Sequence, residues 1–132
     1  MILDVMTQLI EDAGLAVAGR DLFHMSMPAT LDDGIIVKTP LAGIAIDNEA
    51  PGFFRTNLQA IVRARDYEIG RALAAKVRKA LVVEHERVFT TSEGDLRVQW
   101  IHSISLPIEY PRQEGNQYEF SLNFRAVYCH AV

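Results

Sequence analysis

The stretch "IVRARDYEIGRAL", residues 61–73, joins two periodicities, and this junction decides the fold. Upstream of Asp66, side chains from Phe54 to Arg65 alternate between an apolar and a mainly polar set, which is typical of a strand with one polar face. Downstream, apolar residues recur at intervals of three and four, which predicts a helix. The carboxylate of Asp66 can accept hydrogen bonds from the free N–H groups of a first helical turn. The stretch therefore predicts a strand over 54–65 that runs into a helix capped by Asp66.

The same reasoning assigns four further elements. Residues 2–13 have the apolar spacing of an amphipathic helix that stops at Gly14, and residues 35–39 read as a short β-branched strand. Segments 96–105 and 118–129 alternate in period two. A half-polar sheet with helices on its other face is a two-layer α+β sandwich. We therefore expect one α+β domain with a mixed or mostly antiparallel four-stranded sheet and helices packed on one face.

Three segments without a clear period are predicted to be loops. They are 19–33, which contains a proline and turn residues, 40–54 and 107–117. Within 40–54, "DNEAPG" is a turn signal, whereas "GIAI" at 43–46 would also suit a short strand. We expect the three segments to connect the elements above.

Composition places the chain among ordinary globular proteins. Its 132 residues are 49% hydrophobic and 23% charged, which favours one domain with a real core. The net charge of −4 disfavours general affinity for nucleic-acid phosphates. A single cysteine, Cys129, cannot form an internal disulfide. The first residues lack the basic start and continuous apolar run of a signal peptide, and no window resembles a membrane span, so we expect a soluble protein made in a cytoplasm.

No motif predicts catalysis, a cofactor site or a metal site. Cys129 and His130 are adjacent in a predicted strand, so their side chains point to opposite faces. The carboxylate pairs at 32–33 and 47–49 lie in turns, where acids commonly form turns. Strict alternation places His102 on one face with Trp100, and we expect it to be partly buried. Four histidines lie in four segments without the spacing of a zinc site: His24, His85, His102 and His130. We therefore expect a protein that is not an enzyme.

Arginines mark the polar faces of three predicted strands: Arg55, Arg63, Arg65, Arg97 and Arg125. If those strands are neighbours, the outer face of the sheet carries a cationic patch. Two interpretations remain open, namely a solvated sheet face and a contact surface for an acidic partner chain or for passing DNA. Arginine suits either partner because its planar fork binds carboxylate and phosphate alike.

The alternating aromatic residues of 118–128 bear on a different function. In some RNA-binding sheets, exposed aromatic side chains stack on bases. Here Leu122 and Ala126 share the aromatic face, which indicates a core instead, and the basic glycine-containing signature of those modules is missing. A sheet-based nucleic-acid-binding module is therefore kept only as an alternative.

Several stretches resemble a known protein family. "QAIVRARDY" (59–67) and "FSLNF" (120–124), with "MPAT" and "GIIVKTP" before them, resemble the tail terminator and minor capsid proteins of long-tailed bacteriophages. The resemblance covers about residues 25–129 and departs at Ala64, where glycine is frequent in the family. It implies a structural virion protein, assembled in the host cytoplasm, that forms a homo-oligomeric ring, usually of six copies. Such a ring closes the tail tube and joins it to the head connector, and another head–tail connector or neck adaptor is the nearest alternative.

The resemblance also suggests which residues meet partners. Segment 40–54 would be a projecting arm that reaches a neighbouring copy or the tube. Phe53 and Phe54 would then be apolar contacts, unless they pack on their own core. The arginines would face acids of the next copy, such as Glu11 or Glu86, or DNA in the lumen. The candidate interface residues are Phe53, Phe54, Arg55, Arg63, Arg65, Arg97 and Arg125.

Overall fold

The computed structural model describes residues 1–113 and 116–131. Within these ranges, two helices and seven strands form the domain. In chain order they are α1 (Ile2–Asp12), β1 (Leu22–His24), β2 (Gly34–Lys38), β3 (Phe53–Ala64), α2 (Tyr67–Leu81), β4 (Arg87–Thr91), β5 (Gly94–Ser103), β6 (Ile108–Gln113) and β7 (Gln117–His130).

The strands form one mixed sheet in the order β1-β2-β3-β7-β5-β4, and β6 also pairs with β7. Only β1 and β2 run parallel among these pairs, and every other pair is antiparallel. The predicted α+β class and mixed sheet are confirmed, but the predicted count of four strands is wrong because the sheet is larger. Since β3 pairs with β7 along nearly its full length, β5 and β6 share the opposite side of β7.

The three strands absent from the prediction are short or lie at edges. β1 has three residues inside the predicted loop 19–33, too few to show a period, and β4 is a five-residue strand at the other edge of the sheet. β6 falls inside the predicted loop 107–117, of which residues 114 and 115 lie outside the described residues. Prolines at 107 and 111 suggested a loop, yet proline is tolerated at the start of a strand and on an edge strand. The suggested strand at 43–46 does not form.

Both helices pack on the predicted apolar face of the sheet. Alternate residues of β3 and β7 are almost fully buried there, and together with the apolar stripes of α1 and α2 they build one core. Its members include Val5, Ile10, Leu58, Val62, Val77, Leu81, Phe120, Leu122 and Phe124. The two-layer arrangement leaves the other face of the sheet free of helices.

The junction at Asp66 forms as predicted. Asp66 has extended backbone angles (φ −100°, ψ 125°), and its Oδ1 accepts a hydrogen bond of 2.9 Å from the N–H of Ile69. One turn into α2, Gly70 lies against the sheet. A Cβ added at Gly70 would lie 2.6 Å from the ring of Phe120 and 2.9 Å from the Cβ of Ala64. The missing side chain therefore lets the helix approach the sheet closely.

Residues 40–52, which we call the arm, connect β2 to β3 and are largely exposed. Leu41 is 92% exposed and Ile46 is 71% exposed, whereas Ile44 between them packs against the core of its own chain. Backbone turns shape the arm, with the N–H of Gly43 bonded to the carbonyl of Pro40 and that of Ala50 to the carbonyl of residue 47. The arm is thus anchored at its middle and presents apolar side chains on both sides of the anchor.

Candidate functional site

The outer face of the sheet, opposite the helices, carries the main cluster of exposed charged and aromatic side chains. Its register aligns three rows across β3, β7 and β5: Asn57 with Arg125 and His102, Arg55 with Val127 and Trp100, and Phe53 with Cys129 and Arg97. We call these nine residues the outer patch. Four of the seven candidate interface residues from the sequence belong to it, namely Phe53, Arg55, Arg97 and Arg125.

A β-bulge brings two unexpected residues into the outer patch. The register of β5 on β7 shifts between Val98 and Trp100, so Gln99 is the extra residue. Beyond the bulge Ile101 points to the core and is 1% exposed, whereas Trp100 and His102 point outward. The prediction from strict alternation, which placed His102 partly buried on the core-facing set, is wrong because the bulge inverts the faces.

Trp100 and His102 form a stacked pair on this face. Their ring centroids lie 4.5 Å apart and the planes differ by 17°. His102 is exposed and Trp100 is half-buried. The signal in the sequence was Ile101, the apolar residue that breaks the polar set of this strand. An amphipathic ring pair fixed at the surface is a rigid anchor that a partner can contact without ordering a flexible chain.

The three arginines of the outer patch keep most of their hydrogen-bonding capacity. The Nε of Arg125 donates to the Oδ1 of Asn57 at 3.3 Å, and the guanidinium of Arg55 lies 5.8 Å from the ring centroid of Phe53. Arg97 pairs with Glu86 at 3.4 Å, with both side chains about half exposed. Exposed pairs of this kind contribute little to stability. The patch therefore presents cations that a partner's carboxylates or phosphates can bind.

Arg63 and Arg65, also candidate interface residues, contact their own chain. The Nε of Arg63 lies 3.3 Å from a carboxylate oxygen of Glu119, and its Nη1 donates to the backbone carbonyls of Pro28 and Leu31 at 3.3 and 3.2 Å. The Nε of Arg65 lies 3.3 Å from Asp33. Both arginines therefore hold the segment before β2 onto the sheet. We call these contacts the clasp, and two neighbouring contacts extend it: Arg65 to Asp32 at 3.8 Å and Gln117 to Asp32 at 2.9 Å.

Phe53 and Phe54 point to opposite faces. Phe53 belongs to the outer patch, whereas Phe54 packs against the core, with its ring centroid 5.2 Å from that of Tyr128 and 5.6 Å from that of His130. Together with Ile44 of the arm, Phe54 lines a small cavity of about 210 Å³. Phe54 thus fixes the base of the arm on its own chain.

The perturbed titratable groups are tyrosines with structural surroundings. Burial raises the pKa of Tyr128 to about 12. A hydrogen bond of 2.8 Å to Glu109 raises the pKa of Tyr67. In residues 1–113 and 116–131, no group of three or more metal-ligating side chains comes together, and no helix is long and apolar enough to cross a membrane.

Comparison with known proteins identifies the family. A family model described as bacteriophage tail terminator protein matches residues 9–129. The chain belongs to the bacteriophage tail terminator family. It is accordingly a structural protein of the phage tail, as the resemblance implied. No curated protein matches the chain.

A solved structure of the same fold comes from a phage-like particle. The matching chain, from the structure described as "Virion of native gene transfer agent (GTA) particle", is 18% identical in sequence to the present chain, and the two superpose with a TM-score of 0.63. The match covers 94% of the present chain and 91% of the other. At this identity the likeness establishes the shared fold.

Proposed function

We propose that this tail terminator protein forms a ring, of six copies as is usual in the family, that closes the tail tube and joins it to the head connector. Family membership over residues 9–129 supports a tail role, and the structural match to a particle virion supports assembly into a virion. In this proposal the protein assembles in the host cytoplasm and acts through contacts, without catalysis.

The outer patch is the observation that carries the proposal. Tryptophan, arginine and phenylalanine dominate the energetics of protein–protein interfaces, and here they share one helix-free sheet face. Arg55 lies in the same row as the half-buried Trp100, and Arg125 lies in the next row beside His102, so a partner that covers the ring of Trp100 has cations on both rows within reach. A partner with carboxylates around an apolar spot fits this surface. The end of the tail tube is the partner that we assign to it.

Tube capping tests the proposal directly. The mass of the purified protein is measured by light scattering, alone and with isolated unfinished tail tubes, and the mixture is imaged by electron microscopy. We expect a ring on one end of each tube and an end to tube elongation. A protein that stays monomeric and leaves tubes growing would refute the proposal.

Two substitutions connect the test to the outer patch. The double variant Trp100→Ala, Arg125→Ala removes the ring anchor and one cation, and we expect it to lose tube capping while remaining folded. Lys76→Ala, an exposed change on α2 outside the patch, is the matched control and should cap normally. If the double variant caps tubes at the same protein concentration as the wild type, the contact with the tube lies outside the outer patch. A neck adaptor, the related alternative, would instead bind the connector and leave tube length uncontrolled.

Nucleic-acid binding is the second candidate, favoured by the stack of the half-buried Trp100 on the exposed His102 beside Arg125. Aromatic platforms with nearby arginines bind single strands through stacking and phosphate contacts. The chain contains one tryptophan, so quenching of its fluorescence by an oligonucleotide reports binding at the patch directly. Quenching that disappears with added salt would support this function, and unchanged fluorescence at low salt would exclude it.

A further inference from the structure

A groove runs along α2 on the side where β5 ends and β6 begins. Its two parts, cavities of about 730 and 400 Å³, meet at Ala75 and Arg78. Small and apolar residues from both walls, including Val82, Leu106 and Pro107, line it. Leu106 is 74% exposed, although it lies against a concave surface. The groove therefore exposes apolar area that a partner segment can cover.

The groove also carries cations without partners. Within the described residues, the buried Nε of Arg78 has no hydrogen-bond partner, and Lys79 forms no ion pair. Arg71, farther along, lies 3.9 Å from Glu109, so those two charges balance. Glu84 is the remaining acid at the wall. Arg78 and Lys79 together leave a net positive charge that suits an acidic, partly apolar segment.

The arm has the complementary chemistry. Residues 40–52 contain two acids, Asp47 and Glu49, and no lysine or arginine. Leu41 and Ile46 supply the most exposed apolar side chains of the arm. The Oδ1 of Asp47 accepts the N–H of Glu49 at 2.9 Å, which fixes the turn that presents both acids. An ordered loop loses little conformational entropy when it docks.

The arm and the groove are separate surfaces of the molecule. The arm leaves between β2 and β3 and its Ile44 reaches the start of β5 at Leu96, whereas the groove lies beside the end of β5 at Ser103. Two different surfaces are what a head-to-tail ring requires, because each copy offers one and accepts the other.

We propose that the arm of one copy docks in the α2 groove of the next copy. Leu41 and Ile46 cover the apolar wall at Leu106, and the acids of the arm pair with Arg78 and Lys79. This inference names the contact between copies in the ring proposed above, and so rests on that ring.

Cross-linking between differently labelled copies tests the contact. In a Cys129→Ser background, Ile46→Cys and Leu106→Cys are made in separate chains, mixed, assembled on tail tubes and treated with a short flexible bismaleimide. We expect a cross-linked pair that contains one chain of each kind. Each variant alone should give none, because in a head-to-tail ring identical positions do not meet. Rings without the mixed cross-link would overturn the arm contact and leave the ring intact, whereas absence of rings with wild-type protein would overturn both.

A charge swap provides an independent test that does not depend on the linker. Lys79→Glu should weaken ring assembly at least tenfold in the concentration required, and Glu49→Lys in the arm, which leaves the turn made by Asp47 in place, should do likewise. Combining the two should restore assembly, since the charges again oppose. Lys76→Glu, on the same helix outside the groove, should have no effect. Failure of the combination to recover, with all variants folded by circular dichroism, would contradict the pairing.

Discussion

Replacement of Arg63 by alanine should destabilise the fold, because this side chain holds the segment before β2 in place. Only 14% of the side chain is exposed, and that of its partner Glu119 is 26% exposed. Hydrogen bonds that involve a charged group contribute roughly 1.5–3 kcal/mol, and the carbonyls of Pro28 and Leu31 also lose their donor. Allowing for solvent screening of the ion pair, we expect a loss of about 2 kcal/mol.

Chemical denaturation measures this loss, and thermal unfolding should show a decrease in Tm of roughly 8 °C for a chain of this size. Arg65→Ala is the matched control. Its side chain is 67% exposed, so its pairs with Asp32 and Asp33 should contribute under about 1 kcal/mol. Arg63→Lys keeps the charge but lacks the planar fork, and should recover only part of the stability.

One result would refute the reasoning. If Arg63→Ala had the same denaturation midpoint as the wild type and yet failed to form rings, Arg63 would contribute to the interface between copies and not to the stability of the fold. The clasp on Pro28 and Leu31 would then contribute nothing measurable to the stability of the monomer. Measuring both unfolding and assembly on the same preparation separates the two roles.

Three further predictions concern the core and the helix start. Asp66→Ala should lower stability by about 1 kcal/mol through loss of the cap on Ile69, and Asp66→Asn should retain most of it. Gly70→Val should cost about 1–3 kcal/mol by overpacking against Phe120, as seen in the denaturation midpoint. The folded-state pKa of Tyr128 lies above its ordinary value of 10.0, so its contribution to stability should be present below pH 10 and disappear as pH rises through about 12, which ultraviolet titration with unfolding measurements can follow.

The long elements could be predicted from sequence because their periods run over many residues. β3 and β7 alternate for 12 and 14 residues, and the cap at Asp66 marks the change to α2. Their observed bounds differ from the predicted ones by one or two residues, as is usual at the ends of elements. The inward-facing residues of both strands are buried as predicted, and Ser121 and Val127 on the other face of β7 are buried in addition.

The short strands, the bulge and the internal contacts of Arg63 depend on tertiary contacts, which leave little periodic pattern in the local sequence. β1 forms because β2 offers it a parallel edge, and β6 forms because β5 leaves half of β7 unpaired. The bulge at Gln99 is one residue long, and no alternation rule foresees it. As for the site, the outward direction of Arg55 and Arg125 was predictable from alternation. The internal contacts of Arg63 required knowledge of where Leu31 returns to the sheet.

Because of the bulge at Gln99, neighbouring residues of one strand meet different requirements, namely packing in the core and contact at the outer face. Ile101 must fit the core, whereas Trp100 and His102 beside it need to suit only whatever covers the outer face. The contact surface can therefore change in evolution, residue by residue, while the interior stays fixed. The contact surface of such a tail protein can therefore adapt to a changed partner without substitutions in the core.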